Sequence, residues 1–71
     1  MRFEIRHAED FGTAMREFRT VQGVSQAEVA RRVGLNRTYI SNMEQGIVPA
    51  SMDRLMALVN ALGLTINITD S

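Results

Sequence analysis

Polar and apolar residues alternate at both ends of the 71-residue chain, whereas in between the apolar residues recur every three or four positions. The alternation predicts short strands over residues 1–6 and 64–69. One face of each strand is apolar, with Met1, Phe3 and Ile5 in the first and Leu64, Ile66 and Ile68 in the second. Because a lone strand is not stable in water, we expect the two ends to pair, either with each other or with a second copy of the chain.

Four helices are predicted between these strands, at about residues 8–22, 26–33, 37–45 and 52–62. A glycine follows the first, second and fourth of them, as expected for the left-handed residue that ends a helix. Ser51 is predicted to cap the fourth helix. The helical period assigns one apolar stripe to each helix. These stripes are Phe11, Ala14, Met15, Phe18 and Val21; Val29, Ala30 and Val33; Ile40 and Met43; and Met52, Leu55, Met56, Val59 and Leu62, which Leu58 and Ala61 widen.

The two central helices carry the start and stop signals of one unit over residues 25–46. Ser25 followed by Glu28 is a capping box, in which both side chains bind free N–H groups at the helix start. Gly34 ends that helix and Asn36 caps the next one. Two short helices joined by a tight turn form a helix-turn-helix, which is typical of a DNA-reading unit.

The third predicted helix presents short hydrogen-bonding side chains on the face opposite its apolar stripe. Asn and Gln amides can pair with adenine in the major groove. The caps and the turn favour this interpretation over the alternative, which is an ordinary solvated helix face. The face comprises Thr38, Ser41, Asn42 and Gln45, flanked by Arg37 and Tyr39.

Gln26 opens the second helix, where its amide and the free backbone N–H groups can bind a phosphate. A plain helix-start residue is the alternative for this position. Arg31, Arg32 and Arg37 are candidate phosphate contacts, with solubility as the alternative role.

Arg19 and Glu44 lie beside the apolar stripes of their helices, a position typical of an internal ion pair that fixes helix geometry. His7 is the single histidine and the chain has no cysteine, so we expect no disulfide, no zinc finger and no other metal site. The sequence also lacks the residue sets of nucleophilic catalysis. We therefore expect neither an enzyme nor a cofactor.

The net charge is zero, from eight arginines and eight acids, whereas a DNA-binding domain is usually basic. Three arginines lie within residues 25–46 and six acids lie outside this segment, so the local field there can be positive. We expect modest non-specific affinity and a need for two copies. No apolar run reaches the roughly 18 residues that span a bilayer, and the first residues do not resemble a signal peptide, so a cytoplasmic location is expected.

Residues 23–46 resemble the Cro/C1-type (XRE) helix-turn-helix family. The matching segments are G-V-S-Q-A-E-V-A at 23–30, V-G-L-N at 33–36 and Y-I-S-N-M-E-Q-G at 39–46. The resemblance covers about residues 8–64 and implies a mostly α, lambda-repressor-like domain of four helices. With the short terminal strands, and because 71 residues suffice for one domain only, we expect residues 1–71 to form a single domain. The resemblance also implies an operator of double-stranded DNA and a structural ion pair between Arg19 and Glu44. In that family Gln26 lies where a phosphate- or base-contacting glutamine lies, and Arg37, Thr38, Ser41 and Asn42 fall on recognition-helix positions. We therefore expect base contacts at Thr38, Ser41, Asn42 and Gln26, and phosphate contacts at Arg37, Tyr39, Gln45 and Arg32.

A compact domain followed by a C-terminal strand is most similar to HipB-type antitoxins. That resemblance implies a homodimer that represses its own operon, pairs with a HipA-like kinase toxin and uses the terminal strands in an intersubunit sheet. The implied dimer interface is Leu58, Leu64, Ile66 and Ile68. A stand-alone phage-type or metabolic repressor is the alternative within the same class. A protein-interaction module that binds no DNA is the alternative from another class, because the chain is neutral and has no lysine.

Overall fold

The two ends of the chain pair with each other in the computed structural model, which describes residues 1–70. Strand β1 (Arg2–Ile5) and strand β2 (Ile66–Thr69) form a two-stranded antiparallel sheet in which Phe3 lies opposite Ile68. Of the two pairings that the sequence left open, the one within a single chain is therefore observed. The outer edges of this sheet remain available, and their use between subunits stays a prediction.

Four helices connect the strands and make the chain mostly helical, as the sequence predicts. They are α1 (Glu9–Gln22), α2 (Gln26–Val33), α3 (Arg37–Glu44) and α4 (Ala50–Ala61). Helices α1 and α2 both pack on α3, and α1 also packs on β1. This arrangement places α3 at the centre of the helical layer.

The predicted caps of α2 and α3 are present. The Ser25 Oγ accepts from the N–H of Glu28 at 3.1 Å, and the Asn36 Oδ1 accepts from the N–H of Tyr39 at 2.8 Å. Gly34 has a φ of 73°, the left-handed conformation predicted for it. The carboxylate of Glu28, which the capping box places on the Ser25 N–H, instead accepts hydrogen bonds from two arginines of its own helix.

Helix α4 begins earlier than the sequence predicts. Pro49 is its N-cap residue and Ala50 its first residue, and no side chain caps this end. The prediction that Ser51 caps the helix is wrong, because Pro49 already has the extended backbone of a cap residue and its fixed φ of −60° leads into the helix. Ser51 therefore lies inside the first turn.

The core lies between the sheet, α1 and α4. Its buried members come from all three elements: Ile5, Ala8, Ala14 and Met56. Partly buried apolar residues surround them: Phe3, Phe11, Phe18, Val48, Met52, Ile66 and Ile68. Between α2 and α3, Ala30, Ile40 and Met43 are also buried. The predicted burial of Ile40 and Met43 is thus observed.

Several residues that the periodicity assigned to apolar stripes are exposed instead. They are Met15 and Val21 on α1, Val33 on α2, and Leu55 and Leu62 on α4. On α4 the apolar stripe is wider than the surface that the neighbouring elements cover, because this helix meets the core through Met52 and Met56. A large apolar surface therefore remains uncovered. None of the helices within residues 1–70 has both the length and the hydrophobicity needed to cross a membrane.

Candidate nucleic-acid interface

Helix α3 is anchored by one face and presents the other. Ile40 and Met43 are buried against the neighbouring helices, which fixes the rotation of α3 about its axis. The opposite face carries four short polar side chains, of which two are exposed and two are half-buried. Thr38 and Gln45 are the exposed pair, and Ser41 and Asn42 are the half-buried pair. This face offers hydrogen-bond donors and acceptors on a rigid element.

Gln45 and Ser41 contact each other on this face. The Gln45 Nε2 donates to the Ser41 Oγ at 3.0 Å. Since a hydroxyl carries both a donor and acceptor sites, Ser41 can still donate its own hydrogen to a base. Gln45 itself follows the last residue of α3 as its C-cap, one residue beyond the observed end of the helix.

The predicted ion-pair residues Arg19 and Glu44 join α1 to α3 through two parallel hydrogen bonds. The Arg19 Nε donates to Glu44 Oε2 at 2.7 Å, and the Arg19 Nη2 donates to Oε1 at 2.8 Å. The third nitrogen, Nη1, donates to the Val24 carbonyl at 2.9 Å. The Arg19 guanidinium holds the pKa of Glu44 below its ordinary value. This bidentate pair orients the C-terminal end of α3 relative to α1.

Gln26 links the first residues of α2 and α3. Its Nε2 donates to Glu44 Oε1 at 3.0 Å, and its Oε1 accepts from the Nε of Arg37 at 3.4 Å. Gln26 is half-buried, while Arg37 is exposed. The structure therefore brings together two of the predicted DNA contacts, one at the start of each helix.

The three arginines of residues 25–46 are in different electrostatic situations. Arg31 and Arg32 both donate to the carboxylate of Glu28, at 2.6 and 3.1 Å. These hydrogen bonds lower the pKa of the Glu28 carboxyl, and the one from Arg31 has the larger effect. Arg37 makes no ion pair within residues 1–70, so its full charge is available to a phosphate.

Tyr39 lies on the other flank of α3, away from Arg37. It is 40% exposed and lines an apolar groove formed by α1, α2 and α3. Met15, Val33 and Leu35 line the same groove. The role of Tyr39 as a phosphate contact stays a prediction that depends on its hydroxyl reaching beyond this groove.

The four residues predicted for a dimer interface fall into two groups. Leu58 and Leu64 are 65% and 57% exposed, whereas Ile66 and Ile68 are half-buried against the core of their own chain. Leu55 and Leu62, which the periodicity assigned to the core, are 49% and 72% exposed and share a face of α4 with Leu58. We refer to the exposed leucines of α4 and of the turn that follows it as the leucine face, which comprises Leu55, Leu58, Leu62 and Leu64.

Sequence reasoning missed Gly12, which is buried in α1 against α3. A Cβ at this position would overlap the backbone carbonyl of Met43. The available signal was the glycine itself, because a glycine inside a helical pattern is unfavourable unless another backbone lies close to it.

The described residues contain no group of three or more His, Asp or Glu side chains placed to hold a metal ion. A protein-family model described as "Helix-turn-helix" matches residues 15–68. The chain is also similar to a curated protein of Neisseria meningitidis serogroup B named "Neisseria hypothetical transcription factor", with 40% identity over 50 residues. That match covers 70% of this chain and 47% of the relative, so the chain spans about half of the relative's length. No solved structure matches the chain.

Proposed function

The chain belongs to the helix-turn-helix family, and from this premise we propose that it is a sequence-specific DNA-binding transcriptional repressor. The observation that carries the proposal is the polar face of α3, which lies next to the contact between Gln26 and Arg37. A helix that offers uncharged hydrogen-bonding groups can read base edges in the major groove. Charged groups and helix N-termini beside it hold the phosphate backbone. The name of the Neisseria relative, a transcription factor, is consistent with this role.

We assign base reading to Thr38, Ser41 and Asn42, with Gln26 at the edge of the same surface. An Asn amide can pair with both N6 and N7 of adenine, while Ser and Thr hydroxyls accept or donate singly. Arg37 supplies the main phosphate contact, because its charge is not neutralised by a neighbouring acid within the described part of the chain. Arg32, Tyr39 and Gln45 complete the proposed phosphate contacts.

We propose that the repressor binds DNA as a homodimer formed through the leucine face of α4. The four leucines of this face are each about half exposed or more, which is unusual for a small monomeric domain. A two-fold dimer would present two α3 helices to half-sites about one helical turn, or roughly 34 Å, apart. The outer edges of the β1–β2 sheet lie at the ends of the same chain and could extend the contact.

We propose further that the repressor is the antitoxin of a HipBA-like operon and that its partner is a HipA-like kinase toxin. The proposal is supported by the resemblance to HipB-type antitoxins, which combine such helices with a C-terminal strand. It is also supported by the presence of a C-terminal strand here, β2. This role also places the protein in the cytoplasm. A kinase gene beside this one, and protection of growth when both are expressed, are the expected observations. A chain that neither binds nor neutralises the neighbouring kinase would instead be a stand-alone repressor.

DNA binding is tested by fluorescence anisotropy with the chain's own promoter and a scrambled duplex, each at two salt concentrations. We expect tighter binding to the promoter, with two chains per site and an affinity that falls with salt. Equal and weak binding to both duplexes contradicts sequence-specific repression. It would favour the protein-interaction module that the neutral charge of the chain left open.

A further inference from the structure

A single carboxylate joins the three elements around the proposed DNA contacts. Glu44, on α3, accepts two hydrogen bonds from Arg19 of α1 and one from Gln26 of α2. Its Oε1 is shared, with the Arg19 Nη2 at 2.8 Å and the Gln26 Nε2 at 3.0 Å. The Glu44 side chain is only 5% exposed. The ion pair therefore holds the carboxylate at a fixed place in front of the Gln26 amide.

This carboxylate determines which end of the Gln26 amide faces it. An ionised carboxylate only accepts hydrogen bonds, so the nitrogen of the amide must point toward Glu44. The Gln26 Oε1 then points toward Arg37, whose Nε donates to it at 3.4 Å. The flipped amide would set oxygen against carboxylate and N–H against guanidinium, and both contacts are repulsive.

We propose that Glu44 is a positioning residue for DNA binding, which holds the Gln26 amide so that its second N–H is offered to an acceptor on DNA beside Arg37. This inference rests on the proposed function, since Glu44 acts through Gln26 and does not itself touch DNA. One carboxylate then has two separable roles. It joins α1 to α3 through Arg19, and it orients the first side chain of α2.

The orientation is measured first without DNA, by NMR of the ¹⁵N-labelled chain. Gln26 carries one of three glutamine side-chain amides, and Gln26→Ala identifies its signals. We expect these signals to move when acid protonates Glu44, and to move similarly in Glu44→Gln. The amides of Gln22 and Gln45 serve as controls and should change little. A Gln26 amide that responds to neither change overturns the proposal.

The consequence for DNA is measured with a double-mutant cycle of Glu44→Gln and Gln26→Ala on promoter DNA. Glu44→Gln replaces one of the two acceptor oxygens by a donor and removes the charge, so the side chain can no longer accept from both Arg19 nitrogens and still hold the Gln26 nitrogen as an ionised carboxylate does. We expect about tenfold weaker binding in either single variant, the effect of one lost hydrogen bond to a charged or well-placed acceptor. In the Gln26→Ala background, Glu44→Gln should weaken binding no further.

A merely structural role for Glu44 gives a different result, namely the same loss of affinity whether or not Gln26 is present. That outcome overturns the proposal. Glu17→Gln, the same change of carboxylate to amide on exposed α1 surface, is the matched control and should bind like the original chain.

A loss of affinity for both the promoter and the scrambled duplex identifies a phosphate oxygen as the acceptor, whereas a loss of affinity for the promoter alone identifies a base. If the unaltered chain binds no DNA, the proposed function fails, and the NMR measurement still decides the orientation.

Discussion

Gly12 of α1 lies directly against the backbone carbonyl of Met43 in α3, with no room for a side chain between the two helices. A Cβ on Gly12 would also come within 3.1 Å of the Cα of Glu44. This contact lies at the C-terminal part of α3, where Arg19 pairs with Glu44. Close backbone packing and the ion pair thus both fix the C-terminal end of α3, the helix on which the proposed base contacts lie.

Gly12→Ala should destabilise the fold even though alanine is the better helix former. On an exposed helix, this change would gain up to about 1 kcal/mol. Here the new methyl group would overlap the backbone of α3, which cannot move without the rest of that helix. We therefore expect the free energy of unfolding to fall by about 1–3 kcal/mol. Urea unfolding measures the difference. Thr13→Ala, at the next position of α1, which is exposed, is the control. Its free energy of unfolding should stay within about 0.5 kcal/mol of that of the original chain.

Replacing Ser41 and Asn42 together by Ala should remove the preference for promoter DNA and leave the chain folded. Each well-placed contact to a base is worth about 1–3 kcal/mol of discrimination. We therefore expect the ratio of promoter to scrambled affinity to fall by about tenfold or more. Anisotropy on both duplexes gives the ratio, and circular dichroism checks the fold. If base preference is unchanged in a folded variant, the assignment of α3 as the reading helix is wrong.

Glu28→Gln should strengthen binding to DNA of any sequence. In the native chain the Glu28 carboxylate neutralises Arg31 and Arg32, so their charges are only partly available to phosphates. Each additional phosphate contact steepens the slope of log affinity against log salt by about 0.9. We expect a steeper slope on the scrambled duplex, measured over several salt concentrations. Glu17→Gln removes the same charge outside α2, and an equal steepening there would mean that only net charge matters.

Acid should weaken the fold as Glu44 takes up a proton. The hydrogen bonds from Arg19 lower its pKa in the folded chain below the ordinary value of 4.5. Below pH 4.5 the unfolded chain therefore binds more protons than the folded one, so this part of the stability is complete at neutral pH and declines as the pH falls through the lowered pKa.

Glu44→Gln isolates this contribution from those of other acids. At neutral pH we expect it to cost about 1.5–3 kcal/mol, the range for hydrogen bonds to charged groups. The difference from the original chain should shrink as the pH falls below 4.5. Urea unfolding across this range gives both curves. A difference that stays constant with pH would show that the ionised state of Glu44 does not stabilise the fold.

Local signals in the sequence predicted most of the fold. Ser25, Gly34 and Asn36 act within one or two turns of their own positions, so the bounds of α2 and α3 follow from them closely. The burial of Ile40 and Met43 also follows from the helical period, because α3 has neighbours on that side. A cap made by the backbone of Pro49 leaves no comparable side-chain signal, which is why the sequence pattern places the start of α4 too late.

Contacts between distant elements set what the sequence could not predict. The period of α4 predicts one apolar face, but only packing decides that Met56 is covered while Leu62 is not. The same limit applies to the candidate site. Gln26 and Arg37 were each identified from their place in a helix, whereas their mutual contact depends on how α2 crosses α3. The contact of Gln26 with Glu44 likewise requires the folded chain.

Leu58→Glu should separate the proposed dimer into folded monomers. Leu58 is 65% exposed and lies centrally on the leucine face, so a carboxylate there costs the monomer little. In a two-fold interface the same change places two charges in an apolar contact, where burying an unpaired charge is strongly unfavourable. Sedimentation should give one chain per particle, and promoter binding should fall because each chain then holds a single half-site.

Ala57→Glu, on the exposed opposite side of α4, adds the same charge and should leave both properties unchanged. A Leu58→Glu chain that sediments like the original and binds the promoter equally well would place the dimer interface elsewhere on the molecule.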